Sequence, residues 1–142
     1  MADSTASVTW SGSLLEGGGT IERVGSGVFG GLPITWDART GEEGGKTTPE
    51  ELIAAAHASC YSMALSHGLA QAGTPPEKLD VSATVTFVPG EGITKSALTV
   101  RAVVPGVEEP AFLHAAQDAV ENCPVSKALA AVPEITVDAS LA

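Results

Sequence analysis

The sequence has few cysteines, few basic residues and no long apolar run, and each shortage excludes a class of protein. Two of the 142 residues are cysteine, too few for a disulfide framework and without the clustered ligands of a structural zinc site. Seven Lys and Arg stand against 17 Asp and Glu, a net charge of −10, so we expect neither nucleic acid nor an anionic membrane as a partner. No stretch approaches the roughly 20 apolar residues of a membrane span.

The first residues, Met-Ala-Asp-Ser-Thr, contain no apolar segment of the kind found in a signal peptide. We therefore predict a cytoplasmic protein, in which a disulfide would be transient and catalytic rather than structural. The length suits one domain that buries its own core, and we predict a single domain over residues 1–142.

Turn signals and periodicity predict an α+β domain. Two segments, 79–87 and 93–104, alternate apolar and polar residues around a Pro-Gly turn and predict an antiparallel hairpin. The other predicted elements are short strands at 6–10, 19–24, 32–39 and 134–138, a helix at 110–122, and a short helix that starts at Pro124. The helix at 110–122 carries an apolar stripe that we expect to be buried and that continues to Cys123: Phe112, Ala116, Ala119 and Val120.

One long helix stands out between these elements. Thr48 is a suitable N-cap, Pro49 suits the first helical position, and Glu51 completes a capping box. Gly73 ends the helix. Residues 52–76 contain no charged side chain, and small or apolar residues cover every face, a pattern that predicts a buried helix.

The two cysteines occupy different positions in these helices. Cys60 lies mid-helix, where the dipole helps little and apolar surroundings raise a thiol pKa, so a reactive thiolate needs a cation from elsewhere. His57, three residues earlier, is one candidate, and an arginine from another segment is a better one because it is always charged. Cys123 is the predicted N-cap before Pro124, where free N–H groups favour a thiolate. The alternative is that both cysteines are inert, buried hydrophobic side chains.

Two motifs carry a resemblance to a known family. They are Thr-Pro-Glu-Glu-Leu-Ile-Ala-Ala-Ala-His-Ala-Ser-Cys-Tyr (48–61) and Asn-Cys-Pro-Val-Ser-Lys-Ala-Leu (122–129). Together they resemble the OsmC/Ohr family of thiol peroxidases, and the OsmC branch most. The likeness extends over nearly the whole chain and includes Trp-Asp-Ala-Arg (36–39) and Ile-Thr-Lys-Ser-Ala-Leu (93–98). The family usually has Asn where Thr48 stands.

The resemblance implies a cysteine-based reduction of organic hydroperoxides, with hydrogen peroxide a poorer substrate and no cofactor. Cys60 matches the peroxidatic cysteine and Cys123 the resolving cysteine, so a Cys60 sulfenic acid would condense with Cys123 to a disulfide. A second dithiol, in the family often a lipoyl-type one, would reduce that disulfide. Arg39 falls on the active-site arginine and Glu50 on the glutamate that holds it. Arg23 is the alternative, because the Ohr branch takes its arginine from the first hairpin.

Helix geometry places Glu50 far from Cys60 of its own chain. The two are ten residues apart in one predicted helix, about 15 Å along its axis. If Arg39 and Glu50 serve the Cys60 thiol, they come from a partner subunit. The resemblance also implies an intertwined homodimer, with antiparallel sheets wrapped around two long central helices and active sites at the interface.

Two other functions fit the same residues. One is a catalytically weak protein on this fold that senses redox state or binds a small molecule, and the other is an acidic structural domain with inert thiols. His57 is either a hydrogen-bonded core histidine or a tuner of Cys60. Without the resemblance, Glu50 would be a helix-terminal carboxylate and Arg39 a surface charge.

Overall fold

A computed structural model describes all 142 residues as a mixed α+β fold with two three-stranded sheets and four helices. The predicted α+β class is thus confirmed. The chain divides into two compact units, Met1–Leu52 and Ile53–Ala142. None of the four helices combines the length and the hydropathy that a membrane crossing requires.

The first unit contains an antiparallel sheet and a short helix. Strands β1 (Ala6–Ser11), β2 (Gly18–Val24) and β3 (Gly30–Ile34) pair in sequence order. Helix α1 (Trp36–Arg39) follows β3 directly.

Helix α1 corrects the prediction that residues 32–39 form one strand. The strand ends at Ile34, and the Thr35 hydroxyl accepts a hydrogen bond from the Ala38 amide at 3.1 Å. A threonine at this position caps a helix by satisfying an amide that has no partner within the helix, and this outweighs the strand preference of its neighbours. Arg39 therefore ends a helix and not a strand.

The long helix α2 (Pro49–Gln71) has the predicted termini. The Thr48 hydroxyl accepts from the Glu51 amide at 3.0 Å, whereas the Glu51 carboxylate accepts from the Thr47 hydroxyl at 3.1 Å. Only half of the predicted capping box is therefore present. At the other end Gly73 adopts a φ of 87°, and the Thr74 amide donates to the Leu69 carbonyl at 2.9 Å. Glycine adopts this left-handed conformation without steric cost, and it commonly ends a helix at that position.

The α2 segment within the second unit buries one face only. His57, Tyr61, Leu65 and Leu69 recur every fourth residue and are at most 1% exposed. The opposite side is open in the single chain, where the Met63 side chain is 70% exposed. The prediction of burial on every face is therefore wrong for the chain by itself, because its own sheet and helices pack against one side of α2. The other exposed residues of this segment are mostly small: Ala55, Ala56, Ser59, Gly68 and Ala70.

The sheet of the second unit is mixed. Strands β4 (Lys78–Val88) and β5 (Gly92–Val103) form the predicted hairpin, and β6 (Glu134–Leu141) pairs with β5 in parallel. The predicted antiparallel arrangement is therefore wrong for β6. Two helices separate β5 from β6, and a connection of that length lets the chain return in the same direction.

Those two helices are α3 (Glu109–Asn122) and α4 (Pro124–Ala128). The apolar stripe of α3 is buried as predicted, and the Tyr61 hydroxyl donates to the Ala116 carbonyl at 2.9 Å. Full burial of each large apolar side chain contributes about 1.5–3 kcal/mol. The core of this unit joins α2, β5 and α3 through Tyr61, Leu65, Leu69, Leu98, Val100, Phe112 and Val120.

Candidate active site

The two cysteines of the chain meet in the second unit. Cys60 lies half-buried in the middle of α2, and Cys123 is buried between α3 and α4. Both are free thiols, and they lie near enough for each to shift the pKa of the other. Residues 63 positions apart in the sequence thus form one dithiol site.

The surroundings of the two thiols shift their pKa values in opposite directions. Burial raises the pKa of Cys60, the negative charge of Cys123 raises it further, and the Val125 amide opposes both effects. Burial also acts to raise the pKa of Cys123, but hydrogen bonds from the Ser126 amide, the Cys60 thiol and the Ser126 hydroxyl lower it overall. Cys123 is the N-cap of α4, as predicted, and its amide neighbours favour the thiolate there.

Arg39 and Glu50 meet in the first unit. The Arg39 guanidinium donates to the Glu50 carboxylate through Nε, at 3.0 and 3.3 Å to the two oxygens, and through Nη2 at 2.8 Å. Glu50 is only 5% exposed. A buried carboxylate needs such a partner, since its burial costs several kcal/mol. The short helix α1 and the first turn of α2 hold the two side chains in this pairing.

Arg23, the alternative arginine, has a different setting. It is exposed in the middle strand β2, opposite Ser7 of β1 and Gly30 of β3. The structure therefore joins Glu50 to Arg39 and not to Arg23.

His57 is fully buried, and each of its two ring nitrogens is hydrogen-bonded to a serine hydroxyl. Nδ1 lies 2.6 Å from the Ser96 hydroxyl of β5, and Nε2 lies 2.8 Å from the Ser126 hydroxyl of α4. Burial lowers the pKa of His57, so the ring is neutral at physiological pH. Of the two predicted alternatives, the structure thus shows the hydrogen-bonded core histidine, with partners that are distant in the sequence.

Sequence reasoning missed Ser96 and Ser126. Both lie in segments that carry the family resemblance, 93–98 and 122–129, so a signal was present. Ser126 is the third residue after the N-cap Cys123, a position whose hydroxyl can turn back toward the cap.

Comparisons with known proteins place the chain in a family. A model of the family described as OsmC-like protein matches residues 41–138, well over half of the chain. The chain belongs to this OsmC family. Peroxiredoxin OsmC of Escherichia coli K12 is 43% identical to it over 136 residues, which cover 93% of this chain and 92% of that protein. Peroxiredoxin OsmC of Shigella flexneri matches to the same extent.

Solved structures share the fold. OhrB of Bacillus subtilis, an organic hydroperoxide resistance protein, superposes with a TM-score of 0.64 at 23% identity and covers 97% of this chain and 98% of its own. An OsmC-like protein of unknown function from Vibrio cholerae gives a TM-score of 0.69 at 19% identity, over 99% of this chain and all of its own. At these identities the likeness concerns the fold alone.

The sequence identity to Peroxiredoxin OsmC decides the branch and the class. The predicted OsmC branch is confirmed, and so is the predicted class, a thiol-dependent peroxidase.

Proposed function

We propose that this OsmC protein reduces organic hydroperoxides to alcohols with Cys60 as the peroxidatic cysteine and Cys123 as the resolving cysteine. The observation that carries the proposal is the proximity of the two free thiols, each of which shifts the pKa of the other. A resolving cysteine must reach the sulfur that has been oxidised, and here the two thiols are close enough to interact before any oxidation.

The reaction has two steps within the chain. The Cys60 thiolate attacks the distal oxygen of the hydroperoxide, the O–O bond breaks, and the alkoxide takes up a proton and leaves as an alcohol. The Cys123 thiolate then attacks the sulfur of the Cys60 sulfenic acid, the S–S bond forms as the S–O bond breaks, and the hydroxide that leaves takes up a proton to become water. A dithiol reductant, of which a lipoyl-type dithiol is one, returns both cysteines to thiols and becomes a disulfide itself.

The first step needs a positive charge beside Cys60, since burial raises the pKa of this thiol. Arg39 is the proposed source, because its guanidinium is always charged and Glu50 holds it in a fixed orientation. Helix geometry separates Glu50 from Cys60 of the same chain by about 15 Å along the axis. We therefore assign the Arg39–Glu50 pair to the Cys60 of a second subunit.

The exposed face of α2 supports a homodimer. A helix with no charged side chain beyond its first turn and with Met63 70% exposed leaves apolar surface in water unless a second copy covers it. Two such helices side by side would be the central pair of an intertwined dimer. The small residues on this face allow a close approach of the two backbones.

The second candidate function is a redox sensor on the same fold. The raised pKa of Cys60 favours it, because a largely protonated thiol reacts slowly with peroxide. A sensor would still form the Cys60–Cys123 disulfide but would not turn over. The cytoplasmic location and the single-domain organisation remain predictions.

Steady-state peroxide consumption separates the two functions. The protein should consume cumene hydroperoxide faster than hydrogen peroxide when dithiothreitol or dihydrolipoamide is supplied. C60S should consume neither, whereas S82A, which changes an exposed serine of β4, should behave like the parent protein. Disulfide formation without turnover would favour the sensor, and thiols unchanged by peroxide would refute both functions.

A further inference from the structure

The buried hydrogen bonds of His57 lead toward the second cysteine and not the first. Ser126 contacts the His57 Nε2 atom at 2.8 Å. Ser126 is also the third residue after the N-cap Cys123, and its hydroxyl lowers the pKa of the Cys123 thiol. Ser96 contacts the other ring nitrogen at 2.6 Å. The four side chains form a buried chain in the order Ser96, His57, Ser126, Cys123, supplied by β5, α2, α4 and the turn before α4.

We propose that His57 is a positioning residue for Cys123, which with Ser96 orients the Ser126 hydroxyl so that its proton points at the Cys123 sulfur. This inference rests on the proposed function, in which Cys123 acts as a thiolate in the resolving step. It assigns to His57 an effect on Cys123, whereas its place in the sequence suggested an effect on Cys60.

The number of protons that Ser96, His57 and Ser126 can donate sets the direction of the hydrogen bonds between them. A neutral imidazole has one N–H and one bare nitrogen, and a hydroxyl has one proton to donate. When Ser96 donates to Nδ1, the proton of the ring is on Nε2 and is donated to the Ser126 oxygen. The Ser126 proton is then free for Cys123, where it stabilises a thiolate.

The opposite direction suits a protonated Cys123. If Nδ1–H donates to Ser96, Nε2 accepts the Ser126 proton, and the Ser126 oxygen offers Cys123 only a lone pair. A thiol can donate to that lone pair, but a thiolate cannot. The direction of the hydrogen bonds between these four side chains therefore depends on the charge of Cys123. The tautomer of His57 couples the Ser96 end of this network to the Ser126 end.

Burial makes this coupling effective. His57 and Ser96 are fully buried and Ser126 is 7% exposed, so water does not compete for the hydrogen bonds. Every buried side-chain nitrogen and oxygen has a partner. The titratable neighbours of Cys123 are Cys60 and Tyr61, and burial raises the pKa of Tyr61 far enough to keep the phenol neutral.

The test measures the Cys123 pKa without peroxide. In C60S the only thiol left is Cys123, and its thiolate absorbance near 240 nm can be followed against pH. Tyr61 is the only tyrosine, and its raised pKa keeps tyrosinate absorbance out of the titration.

In the C60S background, we expect S126A and H57L each to move the Cys123 titration to higher pH. The double variant S126A/H57L should titrate like S126A alone, since His57 acts through Ser126. S126T keeps the hydroxyl and should titrate near the parent. L69A is the control, because it removes a buried side chain from the same helix and should destabilise the protein without moving the titration.

A separate kinetic measurement uses Cys60 intact. After one equivalent of cumene hydroperoxide, the rate of disulfide closure in H57L should fall roughly tenfold, the effect of losing one hydrogen bond to a charged group. An unchanged Cys123 titration in H57L, or equal shifts in H57L and L69A, would overturn the inference. A shifted titration in a protein that never consumes peroxide would overturn the proposed function and leave this inference standing.

Discussion

The Arg39 guanidinium and the Glu50 carboxylate, eleven residues apart in the sequence, meet in a forked ion pair with a shortest N–O distance of 2.8 Å. The carboxylate is at the start of α2, where the helix dipole also stabilises its negative charge. The guanidinium is thereby fixed at two of its nitrogens. An arginine held in this way can present its charge to a thiolate at little further entropic cost.

The first prediction concerns this charge. R39A should lower kcat/KM for cumene hydroperoxide by about 100-fold or more, as the loss of one fixed donor to a developing negative charge usually does. The kcat/KM of R39K should lie between those of R39A and the parent protein, because lysine keeps the positive charge but cannot bind Glu50 through two nitrogens at once. R101A removes an exposed arginine of β5 and is the matched control. Full activity in R39A together with a large loss in R23A would assign the role to Arg23 instead.

The second prediction concerns pH. The charge of Cys123 and the hydrogen bond to it both raise the pKa of Cys60. C123S removes the negative charge, so the Cys60 pKa should fall relative to the parent protein. The pH dependence of Cys60 alkylation by iodoacetamide, followed by peptide mass spectrometry, measures this shift. C123A should also lower the pKa, and an unchanged or higher value in both variants would contradict the account.

The third prediction tests whether the site is shared between subunits. C60S and R39A are each expected to be nearly inactive as homodimers. In a mixed dimer, one site combines the intact Cys60 of one chain with the intact Arg39 of the other, so about half of the parent activity should return. Dimers purified through two different affinity tags and assayed with cumene hydroperoxide give the measurement. No recovery in mixed dimers would place both residues in the same chain.

Much of the fold could be predicted from local patterns. The strict alternation of residues 79–87 predicted β4, and the stripe that ends at Val120 predicted the buried face of α3. Caps at Thr48 and Gly73 predicted the ends of α2, because capping is a short-range effect.

Features set by distant parts of the chain could not be predicted. The parallel pairing of β6 depends on how two helices return the chain to the sheet. The contacts of His57 join it to residues 39 and 69 positions away. Local periodicity also failed at α1, where the Thr35 hydroxyl decides between strand and helix.

The candidate site could be predicted only in part, because local patterns describe single segments whereas the site joins several. Local physics indicated that Cys123 ionises more easily than Cys60, and the structure agrees in direction. The pairing of the two cysteines, and that of Arg39 with Glu50, came only from the family resemblance. No periodicity links segments so far apart.

The most direct test of the central claim is a single turnover. The reduced protein is mixed with one equivalent of cumene hydroperoxide, quenched by acid and analysed by peptide mass spectrometry, with C123S as the control. We predict a disulfide between Cys60 and Cys123 in the parent protein and a sulfenic acid on Cys60 in C123S. Two unmodified thiols in the parent protein, or oxidation that begins at Cys123, would contradict the account.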